Sequence, residues 1–186
     1  QDAEEIVRAV ELMAPTFGGI NLEDISAPRC FEIEQRLIEE LDIPIFHDDQ
    51  HGTAIVVLAA LMNACRLTGR NIADLSVSMA GAGAAGVACA KIMMGAGITE
   101  FVACDRFGAI HTGREDYQSG AMNAPKRWLA ENTNKDRRDG SPAEVLEGTD
   151  LFCGLSGPGI ITAKDLQRMN PDPFVFAMAN PVPEVR

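Results

Sequence analysis

Leu75-Ser76-Val77-Ser78-Met79-Ala80-Gly81-Ala82-Gly83-Ala84-Ala85-Gly86 is the stretch that decides the fold. Its first six residues alternate in the manner of a strand and run straight into glycines. Those glycines open a helix predicted from about Ala84 to Met94, with Gly95 and Gly97 at its end. Glu100 to Cys104 reads as the next strand, and it delivers Asp105. Strand, glycine turn, helix and strand form a βαβ unit about 30 residues long. Within such a unit Gly81 permits a tight turn, Gly83 lets the backbone approach a pyrophosphate, and Gly86 lets helix and strand pack closely. The partial positive charge of the helix N-terminus, with Ala84 and Ala85 in its first turn, then faces phosphate. Asp105 lies about 20 residues beyond the last glycine, where a ribose-binding carboxylate is expected. The same glycines would also serve a packing turn in an α/β protein without a nucleotide. A carboxylate at Asp105 repels a 2′-phosphate and favours NAD; Arg106 beside it partly reverses that, leaving NADP open.

Upstream, Asp2–Met13 has helical apolar spacing that Pro15 ends, and Thr16–Ile20 reads as a short buried strand. Pro28–Leu41 is a second amphipathic helix, and Ile43 to Phe46 a second strand. The helix after Gly52 is apolar nearly all round, which predicts burial on both faces. Downstream, Arg106–Ser141 is polar and turn-rich with a helix near Lys126–Glu131, Pro142–Leu146 is a further short helix, and Asp150–Cys153 and Phe174–Met178 are brief strands. Helices alternate with strands, so the fold class is α/β: a Rossmann-like, doubly wound, mostly parallel sheet with helices on both faces and ligands at the carboxyl ends of the strands.

Two of the upstream strands leave into carboxylates. One exit carries Glu23-Asp24, and the other Phe46-His47-Asp48-Asp49-Gln50-His51-Gly52-Thr53. Paired carboxylates after apolar runs suit a hard divalent cation such as Mg²⁺ or Mn²⁺, which takes oxygen ligands and keeps positions open for substrate. Simpler readings stand beside this one. Glu23-Asp24 also fits a solvated acidic turn, and Asp48 an N-cap. His47 and His51 have the i, i+4 spacing of zinc ligands on a helix, but His47 belongs to a strand end and no third ligand has suitable spacing.

The bulk composition narrows the function. A net charge of −11 argues against nucleic acid as a partner. The 46% apolar and 23% charged content of these 186 residues is that of an ordinary soluble globular protein. The longest continuous apolar run, Ala54 to Met62, is far short of the roughly 20 residues of a membrane span. The five cysteines, Cys30, Cys65, Cys89, Cys104 and Cys153, form no CxxC pair and read as buried thiols in a reduced, cytoplasmic compartment. A start at Gln1 and an end at Arg186 lead us to expect a fragment, with residues 1–47 carrying part of the metal site and 48–186 forming the dinucleotide domain.

Taken in order, Gly18-Gly19-Ile20-Asn21-Leu22-Glu23-Asp24, Phe46-His47-Asp48-Asp49-Gln50-His51-Gly52-Thr53-Ala54, the glycine motif, Gly154-Leu155-Ser156 and Phe176-Ala177-Met178-Ala179-Asn180-Pro181 resemble the motifs of bacterial-type malic enzymes. The resemblance implies oxidative decarboxylation of L-malate to pyruvate and CO₂ with NAD(P)⁺ and Mg²⁺ or Mn²⁺, by a homo-oligomer when full-length. It implies Glu23, Asp24 and Asp49 as metal ligands and Asp48 as a neighbouring acidic residue that supports catalysis. It implies Asn180 as the amide contacting malate and the nicotinamide region, and Ser156 in the loop near the nicotinamide ribose. One departure matters. The Tyr and Lys that such enzymes use as acid and base come from an N-terminal domain ahead of the matched region. The only tyrosine here, Tyr117, and the four lysines, Lys91, Lys126, Lys135 and Lys164, sit in none of the matching contexts. Two other classes compete: a nucleotide-binding regulatory module without chemistry, and another Rossmann dehydrogenase. Neither needs two acidic strand exits.

Overall fold

The computed structural model describes residues 2–185, so Gln1 and Arg186, the outer ends of the two expected segments, fall outside the description. The chain starts with helix α1 (Ala3–Met13), whose Val7 and Val10 pack against Ile33 and Leu37 of helix α2 (Arg29–Glu40). Between them runs strand β1 (Ile20–Leu22), which pairs in parallel with β2 (Ile45–His47) in the register Ile20↔Ile45 and Leu22↔His47. The strand expected at Thr16–Ile20 is thus displaced toward the C-terminus. Thr16 closes a tight turn after Pro15, with its Oγ1 donating to the Met13 carbonyl at 2.8 Å. Phe17 is exposed, and pairing begins only where the Ile20 N–H donates to the Pro44 carbonyl.

From β2 the chain enters a π-helical turn (Asp48–Gly52) and continues without a break into α3 (Thr53–Thr68). Sequence spacing left Gly52 outside a helix; it lies inside one, at φ −61°. The 21 residues Asp48–Thr68 are long and apolar enough to cross a membrane by length and composition alone. In this fold Ala54, Val57, Leu61 and Cys65 instead join the main core, and α3 packs along α4 (Ala84–Gly95). The expectation of burial on both faces fails, because Ile55, Val56, Met62 and Leu67 are exposed on the outer side.

The main sheet has the order β5-β4-β3-β6-β7, built from β3 (Ser76–Ala80), β4 (Glu100–Asp105), β5 (Gly108–Ala109), β6 (Leu151–Gly154) and β7 (Phe174–Ala177). Every pairing is parallel except the short β4–β5 hairpin, which the sequence did not indicate. Strand order reverses between β3 and β6, which places the binding crevice at the ends of those two strands. One face, with Val77, Met79, Phe101, Ala103, Leu151 and Cys153, is covered by α3, α4 and α6 (Ala124–Asn132). On the other, Ala80 and Phe152 pack with Leu146, Ile161 and Met169, under turns and the short helix α7 (Ala163–Leu166). The helix expected at Pro142–Leu146 is among those turns. A further short helix, α5 (Glu115–Gln118), lies in the polar segment between β5 and α6. All five cysteines are free and buried, and burial pushes the Cys104 thiol up to about 12.

At the opposite edge from the crevice, one carboxylate staples three strand starts. Asp150 accepts from the Ser76 N–H at 2.9 Å, the Ser76 Oγ at 2.7 Å, the Asn170 amide at 3.0 Å and the Arg70 guanidinium. The Asp150 carbonyl in turn receives the Phe174 N–H at 2.8 Å. Burial raises its pKa, but these donors outweigh burial and bring it from 3.8 to about 2. A carboxylate whose folded pKa is depressed stabilises above its unfolded value and loses that contribution as pH falls through the folded one. Asp150→Asn should therefore unfold more easily by about 2 kcal/mol at pH 7. In urea unfolding against the unaltered protein, the gap should close as pH falls from 4 toward 2, because the Asp150 carboxyl is protonated first in the unfolded and then in the folded chain.

Candidate dinucleotide and metal site

Backbone contacts that no side chain could share build the glycine turn. The Gly81 N–H donates to the Cys104 carbonyl at 2.9 Å, and the neighbouring Leu155 N–H donates to the Ala80 carbonyl at 2.8 Å. These bonds hold Gly81 so close to the β6 exit that a Cβ there would sit 2.5 Å from the Leu155 carbonyl oxygen. Gly81 also has φ +116°, which favours glycine. A Cβ on Gly86 would collide with the Gly81 carbonyl, so α4 can meet β3 at this angle only through glycine. Gly83 differs: a Cβ there would meet nothing within 4 Å. It faces open space, as a residue over which a ligand passes should.

Two cavities meet at this turn. The larger, about 920 Å³, runs from Gly81 and Gly83 past Asp105, Arg106 and Lys126, with Phe31 of α2 on its far wall. The smaller, about 400 Å³, is lined by Asp49, Thr53, the Gly83–Gly86 turn, Leu155, Ser156 and Asn180. Gly83 and Ser156 line both. The structure thus gathers Ala84, Ala85, Ser156, Asn180 and Asp49 around one space, although they come from four separate stretches of sequence.

The acidic residues are brought near one another in part. Parallel pairing of β1 with β2 sends both exits to the same end, and the Asp24 N–H donates to Asp49 Oδ2 at 2.8 Å. Asp24 takes φ +59°, a left-handed backbone uncommon for a residue with a side chain. His47 is fully buried, neither ring nitrogen has a hydrogen-bond partner, and its Nδ1 lies 4.0 Å from Asp49 Oδ2. Glu23, Asp24 and Asp49 are all carboxylates, the donor class a hard cation takes. Yet among the described residues no three His, Cys, Asp or Glu side chains are gathered as a metal cluster. Asp48 folds over Gly52 and makes no capping bond, and neither cavity includes it. The two histidines diverge, since His51 Nε2 pairs with Glu34 at 2.8 Å on α2.

Three further residues shape the site without a signal in the sequence. Glu184 is fully buried, and its carboxylate accepts from the Ser156 N–H at 2.9 Å and the Ala179 N–H at 3.0 Å. It therefore ties the β6 exit to the β7 exit behind Asn180. Arg114 and Lys126 both bond Asp105, at 3.0 and 2.6 Å. Burial raises the Asp105 pKa, but hydrogen bonds from Arg114, Lys126 and the Phe107 N–H outweigh it and leave the carboxyl below its ordinary value. The free ribose acceptor expected at Asp105 is instead an engaged ion pair. Arg106 points elsewhere and stacks 4.6 Å over the Phe107 ring. Tyr117 donates to Glu131 at 2.9 Å, outside both cavities.

A parallel sheet with a glycine turn at its switch point, opening on a two-part cavity, defines a dinucleotide-binding α/β protein. Residues 50–186 match the malic enzyme NAD-binding domain, and residues 1–38 match the malic enzyme N-terminal domain. The chain belongs to the malic enzyme family. It is 53% identical over its whole length to an NAD-dependent malic enzyme of Geobacillus stearothermophilus, of which it covers 38%. It is 44% identical over its whole length to an NADP-dependent malic enzyme of Halomonas elongata, covering 42%. The crystal structure of an NAD-dependent malic enzyme from Thermotoga maritima superposes on all of it with a TM-score of 0.92 at 43% identity, and the chain covers 48% of that structure. The chain spans less than half the length of each of these relatives.

The glycines should separate folding from binding. Gly86→Ala forces backbone apart and should lower stability by about 1–3 kcal/mol, as overpacking does. Gly83→Ala, with open space before it, should leave the urea midpoint within error and weaken NAD binding, read by calorimetry.

Proposed function

We propose that this chain is the dinucleotide- and metal-binding part of an enzyme that oxidatively decarboxylates L-malate to pyruvate and CO₂ with NAD(P)⁺. The observation that carries the reading is the 400 Å³ cavity, in which Asp49 of the acidic turn faces the glycine turn and Asn180 across one space. A regulatory nucleotide-binding module would need no carboxylate there. Glu23, Asp24 and Asp49 are the residues that would hold Mg²⁺ or Mn²⁺, and the Asp24–Asp49 contact supports their joint use. When bound, the nicotinamide accepts hydride and the cation acts as Lewis acid toward the hydroxy acid.

The chain's own groups have separable tasks. The N-terminus of α4 and the bare Gly83 backbone suit the pyrophosphate. Asn180, held at the β7 exit with Ala179 fixed by Glu184, presents an amide to the carboxamide and to malate. Asp48, adjacent to Asp49 in sequence though outside both cavities, would act on the reaction through its charge. Acid and base are a different matter, because Tyr117 is bonded to Glu131, Lys126 to Asp105, and Lys91 lies 5.2 Å over the Trp128 ring. The exposed apolar side of α3 supports a homo-oligomer, and five unpaired buried thiols support a reducing cytoplasm.

Mn²⁺ titrated into the protein should bind at one site by electron paramagnetic resonance, and Asp49→Ala should abolish that binding. An unchanged Mn²⁺ affinity in that variant would sink the metal assignment. Residues 1–186 alone should bind NAD yet give no NADH from malate and Mn²⁺, since general acid and base contribute roughly 10²–10⁴-fold each and neither has a matched group here. Robust turnover would return the acid–base work to Tyr117 or a lysine.

A further inference from the structure

Helix α2 holds a buried carboxylate that lines neither cavity. Glu34 is 7% exposed and shares its face of the helix with Cys30, Ile33 and Leu37, all fully buried. Its Oε2 accepts from the Gln50 side-chain amide at 3.1 Å, and its Oε1 lies 2.8 Å from His51 Nε2. The His51 contact is one of proximity, without the alignment of a full hydrogen bond. The Gln50 bond is the firmer of the two, because Gln50 is itself 3% exposed and the pair is shielded from water. A carboxylate is costly to bury, and an apolar side chain would suit this helix face at no such cost. The acid at this position therefore has a use other than packing.

What Glu34 grips is the π-helical turn Asp48–Gly52. Such turns are rare and occur mostly singly, at functional sites. No side chain caps this one at its N-terminus. A Cβ on Gly52 would collide with the Asp48 carboxylate, so the turn leaves little room for adjustment from within. From without it is fixed on two sides: it packs on α4, and Gln50 reaches back to α2. Asp49, the residue before Gln50, lines the smaller cavity and accepts from the Asp24 N–H. A tether on Gln50 thus fixes the backbone from which the Asp49 carboxylate projects. Hard cations make that matter, since Mg²⁺ demands near-ideal placement of its oxygen ligands.

We propose that Glu34 is a positioning residue for the metal site: by holding Gln50 it fixes the π-helical turn so that Asp49 meets a divalent cation in the smaller cavity. Glu34 itself touches neither cation nor malate. The proposal rests on the reading of Asp49 as a metal ligand.

Three readouts test it: Mn²⁺ affinity by electron paramagnetic resonance, NAD affinity by calorimetry, and hydrogen exchange of residues 46–54 in the metal-free protein. Glu34→Gln keeps the shape and, with the Gln50 amide turned over, keeps a buried hydrogen bond, so Mn²⁺ affinity should stay within about threefold. Glu34→Leu leaves Gln50 without its partner. It should weaken Mn²⁺ by roughly tenfold or more, as loss of groups that orient metal ligands does. Exchange in residues 46–54 should quicken, while NAD affinity holds. Combining Glu34→Leu with Gln50→Leu replaces both polar partners by apolar ones, which is nearly neutral for stability. This double variant keeps the test open where Glu34→Leu alone unfolds: its urea midpoint should approach that of the unaltered protein while Mn²⁺ affinity stays low. Recovery of Mn²⁺ affinity along with the midpoint would reduce Glu34 to packing and overturn the proposal. So would unchanged Mn²⁺ affinity in Glu34→Leu, or equal weakening of Mn²⁺ and NAD. Failure of the unaltered protein to bind Mn²⁺ would overturn the metal-site reading itself, and this proposal with it.

Discussion

The approach of Gly81 to the Leu155 carbonyl is the constraint from which the site follows. Two parallel strands, β3 and β6, end side by side, and the chain must leave both at once without filling the space above them. A side chain at Gly81 would push the exits apart, and one at Gly86 would lift α4 from the sheet. Because neither is present, the α4 N-terminus, the β6 exit and the acidic turn packed on α4 come within reach of one ligand. The main core contributes by rigidity: Val77, Met79 and Leu151 are enclosed, so these exits have little freedom to spread.

Polar staples at both ends of the sheet complement that constraint. Asp150 fixes the strand starts and is matched by a cation, Arg70. Glu184 fixes the strand exits with backbone N–H groups alone. The difference has a physical sense. A buried carboxylate must be satisfied somewhere, and at the exits it is satisfied by the very amides that position Ser156 and the segment leading to Asn180. Glu184 is therefore part of the wall behind the smaller cavity, not a member of its lining.

Much of this was legible in the sequence, for reasons that differ by residue. The roles of Gly81, Gly83 and Gly86 are roles of backbone, and a glycine motif between strand and helix announces them without knowledge of packing. The acidic exits were legible because apolar runs end in adjacent carboxylates, and parallel pairing of β1 and β2 then brought Asp24 to Asp49. What was hidden depends on irregular segments. Arg114 and Lys126 reach Asp105 across a turn-rich stretch with no periodicity to place them. The exposure of Ile55 and Val56 was hidden for another reason: an all-round apolar helix does not say which of its sides the rest of the chain covers. β1 began late because Pro15 and Thr16 spent their backbone on a turn.

Gly83 and Ser156 belong to both cavities, and this makes the site a pair of chambers joined by a waist. A dinucleotide is two mononucleotides on a short tether, and the bare backbone of Gly83 at the waist leaves space for the tether to pass. Each half can then be recognised on separate terms: charge and shape in the larger chamber, amide and carboxylate geometry in the smaller. The tether supplies effective concentration, so two modest half-site affinities multiply into one useful affinity. Each chamber can thereby tolerate change in its own walls while the other keeps the cofactor bound.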